Sequence, residues 1–218
     1  FHNDAVRDTL ALRERPLVRV LRLGGTAALP TYFEIAERAE ASPREPSLVS
    51  RRTSARIVLL DDDGCVLLFC GSDPAVPDGP APVWWFTVGG AVQAGETLPQ
   101  AAVRELEEET GLRVEPGDMI GPVWRRDAVI DFNASVIRSE EMFFVHRTRR
   151  FEPSTAGRTG LERAYIHGHR WCDATIITEL VARGETVYPL QLGQLLDEAN
   201  ALAEAPGAGP RHELQSIR

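Results

Sequence analysis

The sequence contains no run of apolar residues approaching the roughly 18–20 that a membrane-spanning helix requires. A helix crossing a bilayer is therefore not expected. Cysteine is scarce, with Cys65, Cys70 and Cys172 the only three in 218 residues. An odd, scattered set does not build a disulfide framework, and free thiols fit a reducing, cytoplasmic compartment. Positive charge is also short, since 24 Lys and Arg face 32 Asp and Glu, a net charge of −8 with His neutral. With no long Lys/Arg run, non-specific binding to nucleic-acid backbones is not expected. The sign constrains a small anionic partner much less, because a metal ion can bridge it to an acidic protein. Residue 1 is Phe rather than Met, which leaves open that the chain is a fragment, and nothing in it resembles a targeting signal. Apolar residues reach 43%, enough for one well-packed domain with extensions.

Against this background one stretch is unusually constrained, Gly90 to Leu112, GAVQAGETLPQAAVRELEEETGL. Thr97 followed three residues later by Gln100 is a capping-box pattern, and Pro99 is tolerated in a first helical turn. Gly111 is a natural C-terminal stop, so the pattern predicts a helix over Leu98–Thr110. On that helix Glu105, Glu108 and Glu109 stand at i, i+3 and i+4, within an arc of roughly 100°. Ala102, Val103 and Leu106 occupy the neighbouring arc, which would bury the helix against a sheet. Arg104 is placed to pair with Glu108 at i+4. A solvated face can carry three like charges. Here the glycine-rich lead-in VGGAVQAGE favours a tight loop whose carbonyls approach an ion. Clustered hard oxygen ligands suit Mg²⁺ or Mn²⁺, which also bind substrate phosphates.

The order Gly90, five residues, Glu96, seven residues, Arg104-Glu105-Leu106, one residue, Glu108-Glu109, one residue, Gly111-Leu112 resembles the Nudix box. That box marks hydrolases that cut nucleoside diphosphates linked to another moiety. The resemblance spans Arg56 to about Ala203 and implies an α/β/α sandwich around a mixed β-sheet. It implies Glu108 and Glu109 as principal metal ligands, joined by the backbone carbonyl of Gly89. Glu105 is a further ligand or the general base, Arg104 orients the glutamates by ion pairing, and Glu96 supports them. Such proteins often recruit a carboxylate from outside the box, for which Glu141, beside Glu140 at the start of a strand, is the candidate here, set against a plain solvated strand end. One departure is visible. Val88-Gly89-Gly90 replaces the usual Pro-Gly-Gly, which bears on loop stiffness rather than on ligands.

Residues 1–54 read as an N-terminal extension and linker. Asp4 caps a short helix to Arg13, Leu17–Leu23 is a strand candidate, and Thr31 with Glu34 predicts a helix over Tyr32–Ala41. Ser42–Ser54, polar and basic with Pro43 and Pro46, reads as the linker itself. Residues 55–204 form the main domain. Ile57–Leu60 and Val66–Phe69 flank Asp61-Asp62-Asp63-Gly64, a hairpin turn rather than a calcium loop. Ser72–Pro82 is a proline-rich loop. Trp84-Trp85-Phe86 is a strand whose aromatics are mostly core, with Trp85 the candidate to stack on a base. Met119–Trp124, Ala128–Phe132 and Glu141–Arg147 read as three more strands. Arg126, with Arg125, is the candidate for a substrate phosphate or a homodimer partner, set against plain surface exposure. Phe151–Gly168 reads as a loop, and His169–Cys172 as a return to the sheet. His167, His169 and Cys172 are spaced for zinc but lack a fourth ligand nearby. Asp173 caps a helix to Arg183, Leu190–Ala203 is a last amphipathic helix, and residues 205–218 read as a flexible tail.

The expected activity is metal-dependent hydrolysis of a nucleoside diphosphate derivative by water attack on phosphorus. A small-molecule nucleotide is the expected substrate. Relatives that prefer ADP-ribose carry a proline, and those that prefer dinucleoside polyphosphates a tyrosine, near position 128, which here is Ala. Nucleotide sugars, ADP-ribose-type compounds and modified nucleoside triphosphates all stay open. The alternative is a nucleotide-sensing module of the same fold without significant turnover.

Overall fold

The computed structural model describes residues 50–75, 82–133, 135–204 and 214–218. The helices and strand expected before residue 42 lie outside them. Eight strands form one sheet: β1 (Ser50–Leu60), β2 (Val66–Gly71), β3 (Trp84–Ala91), β4 (Ile120–Phe132), β5 (Ser135–Arg147), β6 (Ile166–Cys172), β7 (Thr186–Tyr188) and β8 (Gln215–Ser216). Their order is β6-β2-β3-β1-β5-β4-β8, with β7 beside β3. The sheet is mixed, because β1 runs parallel to β5 and β7 parallel to β3 while most other neighbours are antiparallel.

The central strands β1 and β2 read as unbroken apolar runs because both of their faces are covered. Ala55, Ile57 and Leu59 face α1 (Leu98–Thr110), in a core with Ala101, Ala102 and Leu106. Val58 and Leu60 face the opposite side, against Ile177 and Leu180 of α3 (Ala174–Ala182) and Leu192, Leu195 and Leu196 of α4 (Leu192–Glu204). The result is the expected α/β/α sandwich. Its catalytic-type helix has the predicted bounds. Thr97 accepts from the Gln100 amide, Gln100 accepts from the Thr97 amide, and Gly111 ends α1 at φ +79°. No helix among the described residues is long and apolar enough to cross a membrane.

Several boundaries differ from expectation. Strand β1 starts at Ser50, inside the segment read as linker, because the parallel ladder to β5 is made by backbone groups and accepts Arg51, Arg52 and Thr53 as readily as apolar residues. Met119–Trp124 and Ala128–Phe132 belong to one strand, β4, since the polar Arg125, Arg126 and Asp127 between them continue the ladder with β5. Glu140 and Glu141 therefore stand in the middle of β5, not at a strand start. The loop read over Phe151–Gly168 contains α2 (Gly160–Tyr165), capped by Thr159. The far end of the tail is held as well. The Ile217 amide donates to the Arg125 carbonyl at 2.8 Å, and its side chain joins the α3/α4 core. The zinc spacing does not produce a site. His167 bonds the Ser72 hydroxyl at 2.6 Å and His169 lies 3.4 Å from Glu152, whereas Cys172 is fully buried.

Candidate active site

Strand β3 enters the site through two glycines whose lack of a side chain is used directly. A Cβ on Gly89 (φ +126°) would lie 2.2 Å from the Ala55 carbonyl oxygen, and one on Gly90 would lie 2.6 Å from the Glu105 carboxylate. The acidic face of α1 can therefore press against the β3 backbone. There the Gly89 amide donates to Glu109 Oε2 at 2.8 Å. Burial pushes the Glu109 carboxyl up to about 8, against the opposing pull of that bond and of Arg56. Burial likewise raises Glu105, although Arg104 works the other way.

Arg104 is the organiser of this face, and all five of its N–H groups are used. Its Nε and Nη2 hold Glu96 at 2.7 and 3.1 Å. Its Nη1 reaches Glu105 at 2.8 Å and Glu108 at 2.9 Å, and Nη2 also reaches the Ala91 carbonyl at 2.9 Å. The bond from Arg104 draws the Glu96 carboxyl below its usual range. Glu108 lies on the outer flank of this guanidinium, with its side chain 41% exposed.

One carboxylate oxygen each of Glu105, Glu109 and Glu162 lie within 4.8 Å of one another. Glu162 comes from α2. Its sequence signal is Thr159-Gly160-Leu161-Glu162, a capping box hidden in a segment that reads as loop. The three line a cavity of about 370 Å³ together with Gly89, Arg52, Arg56 and Arg126. Aromatic rings of Trp84, Phe86, Phe132, Tyr165 and Tyr188 also line it. Burial raises the Tyr165 hydroxyl, so it stays protonated beside Glu109.

The other expected site residues fall as follows. Glu141 is 1% exposed, and its two oxygens accept from Arg56 Nε at 3.0 Å and Arg126 Nε at 2.7 Å. Burial alone would raise this carboxyl, but the two guanidiniums bring it below the usual range. It thus sits on the cavity wall inside a double ion pair, apart from the three-carboxylate group. Arg126 lines the cavity and is buried rather than surface-exposed, with its guanidinium 5.2 Å from the Tyr188 ring centroid. Trp85 does not line it. Alternation along β3 sends Trp85 to the α3/α4 side, where its Nε1 donates to Glu185 at 2.6 Å, and it is Trp84 and Phe86 that face the cavity. The Gly89 carbonyl accepts from Arg56 Nη1 at 2.6 Å, which leaves its second lone pair for another donor or an ion.

The family model for the NUDIX domain matches residues 50–191, from the first residue of β1 to the start of α4. The chain belongs to the Nudix family. Among curated relatives of this Nudix chain, an RNA pyrophosphohydrolase of Cereibacter sphaeroides (strain ATCC 17029 / ATH 2.4.9) is 34% identical over 96 residues. That match covers 37% of this chain and 56% of the relative, so the chain spans only about half the relative's length. Two solved structures are also similar. The MutT protein of Methanosarcina mazei Go1 has 16% identity and a TM-score of 0.45, over 72% of this chain and 97% of its own. The E. coli dihydroneopterin triphosphate pyrophosphohydrolase has 23% identity and a TM-score of 0.46, over 69% and 96%.

A divalent cation fits the three-carboxylate group. The donors are all hard oxygens, and the buried Glu109 carboxylate has one amide donor as its only hydrogen bond among the described residues. Glu105, Glu109 and Glu162 are the residues that would hold it.

Proposed function

We propose that this Nudix protein is a metal-dependent hydrolase of a nucleoside diphosphate derivative. The observation that carries the proposal is the meeting of Glu105, Glu109 and Glu162 on the rim of a cavity whose other walls are arginine and aromatic. A bound Mg²⁺ or Mn²⁺ would neutralise the diphosphate and ease deprotonation of an attacking water. Glu105 is the base, because Arg104 fixes its Oε1 while burial raises its proton affinity. The attacking water oxygen bonds phosphorus, its proton passes to Glu105, and the bridging P–O bond breaks. A nucleoside monophosphate and a phosphorylated remainder leave. Arg126 and the Trp84 and Phe86 rings hold the substrate, and Glu108 keeps Arg104 oriented from outside. The relative's name, RNA pyrophosphohydrolase, adds RNA to the candidate substrates.

The test is a product screen with Mg²⁺ or Mn²⁺ over ADP-ribose, nucleotide sugars, nucleoside triphosphates and a 5′-triphosphorylated oligoribonucleotide. Glu109→Gln and Glu162→Gln serve as controls. Metal-dependent cleavage that falls at least about 100-fold in either variant is the expected result. Undiminished turnover in both variants rejects the carboxylate group as the catalytic centre, and nucleotide binding without turnover in the wild type favours the sensing alternative.

A further inference from the structure

Helix α2 brings a second polar side chain to the cavity besides Glu162. Tyr165 stands three residues further on, so the two share one face of the helix, and both line the cavity. The Tyr165 ring is firmly held. Its centroid lies 5.0 Å from that of Phe132, edge to face, and 6.0 Å from that of Phe86. The Tyr165 carbonyl accepts from the Ser72 amide at 3.1 Å, where α2 passes into β6. Gly71 makes this packing possible, since a Cβ there would lie 2.9 Å from that carbonyl oxygen and 3.3 Å from the ring's Cδ2. A ring fixed in this way presents its hydroxyl with little freedom.

That hydroxyl is within electrostatic reach of Glu109, Glu162, Arg56 and Arg52, all of which line the same cavity. Burial keeps it protonated, so it is an O–H donor. Neither acid accepts from it. Glu109 Oε2 accepts from the Gly89 amide and Glu162 Oε2 from the Thr159 amide. The arginines are donors only and offer it no acceptor. Donor groups of Tyr165, Arg56 and Arg52 therefore stand beside the carboxylates that would hold a cation. An anion with several oxygens, one on the cation and others on these donors, serves all of them at once.

We infer that the Tyr165 hydroxyl donates a hydrogen bond to a non-bridging oxygen of the substrate phosphoryl group held beside Glu105, Glu109 and Glu162. This rests on the hydrolase proposal for the site and adds to it a donor from outside the box, delivered by the same short helix as Glu162. The phenol is neutral, so it orients the phosphoryl group without competing with the cation for the carboxylates. If the ring served only for packing, the hydroxyl would be idle and phenylalanine would do as well.

The experiment compares the wild type with Tyr165→Phe, which keeps the ring and removes only the hydroxyl. Binding of methylenediphosphonate is measured by calorimetry with Mg²⁺ present, since its P–C–P bridge resists hydrolysis. The expected result is binding about tenfold weaker in Tyr165→Phe, the size of one lost charged hydrogen bond, with Mn²⁺ affinity and the melting curve unchanged. In the turnover arm, kcat/KM for the substrate found in the product screen falls by a similar factor in the same variant. Methylenediphosphonate binding that is unchanged in Tyr165→Phe overturns the inference. A fall in Mn²⁺ affinity alongside it assigns the hydroxyl to the metal group rather than to the phosphoryl oxygen, and overturns the inference too. A wild type that binds the diphosphonate through Tyr165 yet hydrolyses nothing in the panel overturns the hydrolase proposal instead and leaves the donor standing.

Discussion

Glu109 is the residue in which fold and chemistry pull in opposite directions. Packing α1 onto β3 buries its carboxylate, with the Gly89 amide as its only hydrogen bond among the described residues, and its proton is held up to about 8. In the unfolded chain the same carboxyl releases its proton near the ordinary glutamate value of 4.5. Between those pH values the folded state binds the extra proton, so the stabilising effect is fully present below about 4.5 and is lost as pH rises towards 8. The metal-free protein is therefore expected to be less stable at pH 8.5 than at pH 5.5, by on the order of a few kcal/mol, and to melt at a lower temperature. Glu109→Gln should flatten that dependence, and Mg²⁺ should offset it in the wild type only. A pH-independent melting temperature in EDTA would show that Glu109 ionises freely in the folded state. The neighbouring Arg104 could be read from the sequence as a partner of Glu108. That it also binds Glu96, Glu105 and the Ala91 carbonyl could not, because those contacts depend on how the loop from Gly90 to Glu96 folds back over α1.

Among the elements, α1 and α2 contribute to the same acidic group and differ in how they are held. Helix α1 has three buried apolar side chains, Ala101, Ala102 and Leu106, under its acidic face. Helix α2 has six residues and none is fully buried, so its position depends on its cap and on the half-buried Tyr165 ring, which packs against Phe86 and Phe132. Thr159 accepts from the Glu162 amide at 3.2 Å, and the Thr159 amide donates to Glu162 Oε2 at 2.6 Å. Thr159→Ala is expected to remove about 1 kcal/mol of local stability. The global melt should change little, because Tyr165 at the far end of α2 keeps its packing against Phe86 and Phe132, while Mn²⁺ affinity falls several-fold as Glu162 loses its fixed position. Calorimetric titration of Mn²⁺ into the variant checks this, and unaltered affinity would exclude α2 from the metal site. The sequence carried the signal for this helix in Thr159 and Glu162. It was obscured by Gly157 and Gly160, which read as loop, although Gly157 is where a Cβ would meet the Glu108 carbonyl oxygen at 2.5 Å.

At the scale of the whole molecule, the two faces of the sheet divide the work. The α1 side supplies Glu105 and Glu109 to the site, and the α3/α4 face carries a second core that ends in Ile217, 7% exposed. Residues 214–218 reach this core from the far end of the sequence and pair β8 with β4. Ile217→Ala is expected to lower the unfolding free energy by about 1–2 kcal/mol, at the lower end for a buried isoleucine because β8 is only two residues long. A urea midpoint identical to wild type would show that the segment adds nothing to the core. The box itself, the helix bounds, the hairpin at Asp61–Gly64 and the sandwich architecture were legible in the sequence, because each follows from spacing, capping and apolar runs along the chain. Tertiary structure alone decided that Trp84 rather than Trp85 faces the cavity, that Glu141 is clamped by Arg56 and Arg126, and that Glu162 joins Glu105 and Glu109. Those outcomes depend on strand parity and on which distant segments the sheet order brings together, and neither quantity is encoded in local spacing.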